Sequence, residues 1–161
     1  MNRDLIAEQA ASYVGAPFKH QGRLRSGLDC IGLAVAVARD LGLLSERRDI
    51  CDRRIPIAAF DEPNYSREPT EASIVAPLEK FLDKLEDAAD INVGDILLFR
   101  IARRPQHIGI VHHISADAVY FVHAYQPARK VRMDDMGTRW KKRLISVYRF
   151  RDSAFDNLGA K

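Results

Sequence analysis

The 161-residue sequence holds only two cysteines, one tryptophan and three methionines, and its 25 basic and 22 acidic residues nearly cancel to a net charge of +3. Two thiols are too few for a disulfide framework, and the unlike surroundings of Cys30 and Cys51 give no reason to pair them, so at least one is read as free. Long apolar runs are missing as well. The best candidate, Ile31–Val37, contains a glycine and falls far short of the roughly 20 residues that cross a bilayer, so no membrane span is expected. The opening MNRDLIAEQAASYVG has acidic residues and helical periodicity where a secretory signal has a basic start and a continuous apolar stretch, so no leader is expected. The pI near 9.0 is basic. Acidic stretches such as Glu79–Asp90 interrupt the positive ones, however, and nucleic-acid binding is not expected without a localised basic face.

What is present suffices for one core. With 47% hydrophobic residues and a length within the roughly 100–200 residues of one domain, 1–151 reads as a single domain that needs no staples. Within it, 45–73 is punctuated by prolines at 56, 63 and 69 and by two Arg-Arg pairs, which reads as an irregular insertion. Residues 152–161 read as a frayed tail.

The first half has helical periods. Ile6, Ala10, Tyr13 and Val14 predict an amphipathic helix over 2–14, stopped by Gly15-Ala16-Pro17. Asp29 is placed to cap a second, buried helix running from Cys30 to Leu41, with Gly42 at its C-terminal end. Ile74, Leu78, Phe81, Leu82 and Leu85 mark a third helix, with Ser73 as its cap and Pro77 near its start. The second half alternates instead. Asp95–Arg100, Gln106–Ile114, Ala118–Ala124, Arg129–Met133 and Leu144–Phe150 predict about five short strands. Helices followed by strands predict an α+β fold, with N-terminal helices packed on a mostly antiparallel sheet.

Cys30 stands out chemically because a thiol in the first turn of a helix feels the positive end of the macrodipole, which favours the thiolate. Gly32, two residues on, would let a substrate backbone approach closely. The competing reading is a small buried core residue, and a base decides between them. Five histidines are available: His20, His107, His112, His113 and His123. Strand alternation puts His107, Gly109, Val111 and His113 on one face and His112 on the other, while a hairpin near Ser115–Asp117 returns His123 alongside His107. One imidazole can then fix the tautomer of the other. A zinc site built from these histidines and Cys30 is the weaker reading, because the spacing lacks helical or paired-cysteine presentation; no metal or cofactor is expected. Asp29 reads as a cap before a substrate ligand, and Arg23 and Arg25 as loop charges. Tyr120, Phe121, Tyr125 and Trp140 read as packing, and Arg139–Arg143 as a solvated basic turn.

In order along the chain, Gly15-Ala16-Pro17-Phe18, Leu28-Asp29-Cys30-Ile31-Gly32-Leu33, Val93-Gly94-Asp95-Ile96-Leu97-Leu98-Phe99, His107-Ile108-Gly109-Ile110 and His123-Ala124 resemble the NlpC family of papain-like cysteine peptidases. The resemblance runs from about Leu5 to Phe150 and is weakest over 45–90. It implies hydrolysis of peptide stems of bacterial peptidoglycan, commonly at a D-glutamyl to diamino-acid bond. Cys30 would be the nucleophile, His107 the base and later the acid, and His123 the residue orienting His107. The Cys30 N–H would contribute to the oxyanion hole. Many members have a tyrosine where this chain has Phe18, and His20 or Gln21 are candidates to replace its hydroxyl. Phe18-Lys19-His20-Gln21 and Trp140-Lys141-Lys142-Arg143 resemble the short form associated with phage tails and gene transfer agents, which implies tail proteins as partners and carriage to the cell wall on a particle. Two alternatives use the same fold, a non-catalytic assembly platform and a thiol acyltransferase.

Overall fold

The structure, a computed structural model, describes residues 3–45, 55–56 and 71–151. Helix α1 (Asp4–Ala11) buries Ile6, Ala7 and Ala10, the face its spacing predicts. It is shorter than expected because the chain tightens after Ala11. Tyr13 and Val14 donate three residues back, and the Gly15 N–H leaves the helix to bond the Val131 carbonyl. A small hairpin follows, β1 (Arg23–Leu24) against β2 (Gly27–Leu28), and leads into α2 (Cys30–Asp40).

Every residue of α2 from Gly32 to Ala38 is buried, as its nearly all-apolar circumference requires. Gly42 ends it at φ +69°, with Leu43 N–H bonded to the Ala38 carbonyl and Gly42 N–H to the Arg39 carbonyl. That pair of bonds satisfies the last helical carbonyls, and the positive φ suits glycine. Next come β3 (Leu44–Ser45) and β4 (Ile55–Pro56), paired in parallel, and α3 (Glu71–Phe81). The rest of the expected insertion over 45–73, with Cys51, lies outside the described residues, as does the 152–161 tail.

The sheet has six antiparallel strands, one more than the sequence led us to expect: β5 (Leu82–Lys84), β6 (Ile96–Ile101), β7 (Arg104–Ile114), β8 (Val119–Tyr125), β9 (Lys130–Asp135) and β10 (Leu144–Phe150). A short helix, α4 (Thr138–Lys141), connects the last two. Their spatial order is β5-β10-β6-β7-β8-β9. The additional strand is β5, cut from the end of the predicted third helix. Its register, Leu82 opposite Phe150 and Lys84 opposite Tyr148, exists only because β10 returns beside it. Pro77 is also displaced from its expected place, because α3 begins at Glu71 rather than after Ser73 and the proline falls in its interior. The missing N–H and ring clash cost about 3 kcal/mol. Burial of Ile74 and Leu78 against the sheet offsets that cost.

Alternation along the strands divides the interior in two. Ile96, Leu98, Ile108, Ile110 and Val122 face the helices, with α1, α2 and α3 all packed over β7. Leu97, Phe99, Val111, Phe121 and Val147 point to the opposite face and enclose Trp140 from α4. Strand β6 is therefore covered on both sides, which explains its unbroken apolar run. At its start the fully buried Asp95 accepts two 2.8 Å bonds from Arg149, locking β10 to β6.

Candidate active site

Asp29 organises the nucleophile's surroundings. Its backbone is extended, and its carboxylate accepts from Gly32 N–H at 2.7 Å, capping α2. The same carboxylate accepts from Gln21 N–H at 2.6 Å and from Arg23 at 3.3 Å, so one buried side chain ties the preceding loop to the first turn of the helix. Gly32 serves that junction. A Cβ there would stand 1.8 Å from the Gly22 carbonyl oxygen, so the backbone that approaches it is the loop's own and not a substrate's.

This packing sets Cys30 against β7. Its Sγ lies 4.0 Å from the carbonyl oxygen of Gln106, the residue before His107. Cys30 and His107 line one cavity of about 540 Å³, shared with Phe18, His20, Asp29, Tyr125, Arg139 and Arg143.

The hairpin between β7 and β8 brings His123 to His107 as the alternation predicts, Nε2 of His107 standing 2.7 Å from Nδ1 of His123. The chain of contacts continues, with Nε2 of His123 3.1 Å from Oδ2 of Asp134, whose other oxygen pairs with Arg132. A carboxylate only accepts, so His123 presents Nε2–H to Asp134 and keeps a lone pair on Nδ1. His107 must then donate from Nε2, and its neutral ring carries a lone pair on Nδ1. That is the arrangement a proton acceptor requires.

Trp140 holds the two rings in place. It is stacked on His107 at 5.6 Å between centroids and 29°, and meets His123 edge-on at 5.1 Å and 86°. Phe121 adds a contact to His123 at 4.7 Å. Such enclosure fixes protonation. Burial holds His107 down at about 3, with the neighbouring His123 and Arg143 reinforcing the shift. His123 is also pushed down to about 3, by burial and then by Arg132. Both rings are neutral at neutral pH.

The thiol reverses a sequence expectation. Burial, followed by the negative charge of Asp29, pushes Cys30 up to about 12, against the backbone N–H groups of Ile108, Ile31 and Cys30 that favour the thiolate. Desolvation therefore outweighs the helix end. The resting pair is a thiol and an imidazole, not an ion pair.

Of the other residues singled out in the sequence, His20 reaches the cavity, with Nδ1 4.0 Å from Asp29 Oδ2. Gln21, at φ +59°, uses its N–H on Asp29 and is not part of the lining. Arg23 binds Asp29 and the Gly22 carbonyl, while Arg25 binds Ser12 and covers the Tyr13 ring, so neither faces the cavity. His112 and His113 lie off the site. A bulge between Val111 and His113 breaks the strict alternation, and the exposed His113 stacks on Tyr120. Among the described residues no group of three or more metal-ligating side chains converges. Three residues read as packing or solvated turn, Tyr125, Trp140 and Arg143, belong to the site or its wall, and Asp134 was not singled out at all. A strand extended by two residues beyond Met133 would have placed Asp134 on the face of His123.

A helix delivering a thiol onto an antiparallel sheet, opposite two hydrogen-bonded imidazoles, defines a class of thiol-imidazole fold. Residues 15–149 match the NlpC/P60 family, and the chain belongs to it. The fold is similar to that of the NlpC/p60 domain of the peptidoglycan hydrolase SagA, at 19% identity and a TM-score of 0.60, covering 92% of this chain and 98% of that one. It is similar also to an NlpC/P60 family protein from Bacillus cereus (15% identity, TM-score 0.64, 93% of this chain) and to NlpC2 from Trichomonas vaginalis (18%, 0.59, 92%). The chain spans 40% and 46% of those two longer proteins. Among curated protein sequences none matches it.

Proposed function

We propose that this protein is a cysteine peptidase acting on peptide stems of bacterial peptidoglycan. The observation that carries the reading is one cavity lined by Cys30 and by His107, with the imidazole Nε2 held 2.7 Å from His123. Membership of the NlpC/P60 family and the likeness to a peptidoglycan hydrolase domain support it. Because the resting thiol and imidazole are neutral, the Cys30 proton passes to Nδ1 of His107 as Sγ attacks the scissile carbonyl. The tetrahedral oxyanion is met by backbone N–H groups at the start of α2, that of Cys30 among them. Collapse breaks the C–N bond, and His107 gives its proton to the departing amine. Water, deprotonated by the same ring, then hydrolyses the thioester.

The test is digestion of purified peptidoglycan with wild type and Cys30→Ala, followed by mass spectrometry of the released fragments. Cleaved stems from wild type alone are expected, and equal release from both would remove the catalytic assignment. The non-catalytic platform draws on the raised thiol and on Phe18, and wild-type protein that releases nothing but captures a tail protein would favour it. Transfer of the acyl group to an amine in place of water would mark an acyltransferase in the same spectra. Carriage on a phage-like tail, with action at the cell wall, is the delivery route the sequence resemblance supports. Immunodetection of the protein in purified particles tests it.

A further inference from the structure

The cavity's charges are one-sided. Arg139 and Arg143 both line it, and the carboxylate among its lining residues, Asp29, is committed to its own loop and helix cap. Arg143 is held in place from both sides of its peptide: its N–H bonds the Trp140 carbonyl at 2.9 Å and its carbonyl accepts from Arg100 N–H at 2.8 Å. Its guanidinium lies 5.6 Å from the Trp140 ring centre, on the indole that stacks against His107. The Arg139 guanidinium is at the same distance from that ring and donates to the Tyr125 hydroxyl at 2.6 Å. Among the described residues neither guanidinium has a carboxylate partner. Two like charges four residues apart on one turn repel. A planar fork held beside a nucleophile and left without an acid matches a carboxylate in charge and shape.

We propose that Arg143, with Arg139 beside it, forms a carboxylate-binding subsite next to Cys30, and that the substrate carries a free carboxylate adjacent to its scissile carbonyl. This rests on the thiol peptidase reading and adds what the cavity selects. The carboxylate anchors the substrate against the Trp140 wall and sets its carbonyl over Sγ. It also offsets the positive charge that Arg143 directs at His107, so the bound substrate makes that ring a better proton acceptor.

The test uses synthetic stem peptides in isosteric pairs, a free carboxylate against a carboxamide, varied first on the residue supplying the scissile carbonyl and then on the residue supplying the amine. In one pair, kcat/KM for the carboxylate is expected to exceed that for the carboxamide by about 10–100-fold, the range of a charge-assisted hydrogen bond. Arg143→Gln is expected to bring that ratio below about threefold, and Arg143→Lys to retain part of it, with melting curves confirming that both variants fold. Equal rates within both pairs for wild type, or a ratio that survives in Arg143→Gln, overturn the subsite while leaving the peptidase reading intact. Binding to Cys30→Ala, followed by fluorescence of Trp140, separates the other case. If wild type cleaves no peptide but Cys30→Ala holds the carboxylate form about tenfold more tightly through Arg143, the subsite stands and the peptidase reading falls.

Discussion

His123 is hydrogen-bonded at both ring nitrogens, to His107 Nε2 at 2.7 Å and to Asp134 Oδ2 at 3.1 Å, and this double engagement fixes the tautomer of the ring that faces the thiol. Asp134 thereby acts on Cys30 through two imidazoles without touching it.

The first prediction concerns that chain. In Asp134→Asn the amide can donate to His123 and reverse both tautomers, which places a proton on the His107 nitrogen meant to accept one. We expect kcat to fall about 10²-fold, the lower end of what a positioned base contributes, with KM little changed. Nitrogen NMR of the ring tautomers checks the mechanism, since a purely structural role would leave them as in wild type.

Asp29 joins stability to reactivity. Asp29→Ala removes acceptors for the Gly32 and Gln21 N–H groups and for Arg23, and should cost about 2–3 kcal/mol in denaturant unfolding. Asp29→Asn keeps the shape but removes the charge that helps push Cys30 up to about 12. Its thiol should alkylate with iodoacetamide at lower pH than wild type, whose rate should keep rising through pH 9. A wild-type plateau near neutral pH would show a resting thiolate and contradict the burial argument.

Acid sensitivity follows from the histidines. Both rings are held at about 3, below the ordinary 6.5, so between these values the unfolded chain binds protons the folded one does not. Their contribution to stability is complete above pH 6.5 and is lost as pH falls toward 3. Unfolding near pH 5 should take up about two extra protons from this pair, and His123→Gln should remove about one, read from the pH dependence of the unfolding free energy.

Trp140 is the chain's one tryptophan and lies against both histidines. Trp140→Ala should destabilise by about 3–5 kcal/mol through the cavity it leaves. Trp140→Phe should cost less in stability yet still lower kcat, because a smaller ring no longer spans His107 and His123. Parallel melting and kinetic measurements separate the two effects.

The sequence by itself determined whatever depends on near neighbours along the chain. Asp29 before Cys30 read as a cap, Gly42 as a helix end, and the period-2 spacing of His107, with a short turn before His123, predicted that the rings meet. Each is a matter of one turn or one hairpin. Only the tertiary structure decided the rest. Strand β5 exists because β10 lies beside it, Asp134 reaches His123 through the register of β9, and Trp140 arrives from α4 to close the far face of the sheet. The thiol's protonation was decided the same way. The dipole at a helix end is local and legible, but desolvation depends on how many groups from distant segments exclude water, and at Cys30 that exclusion prevails.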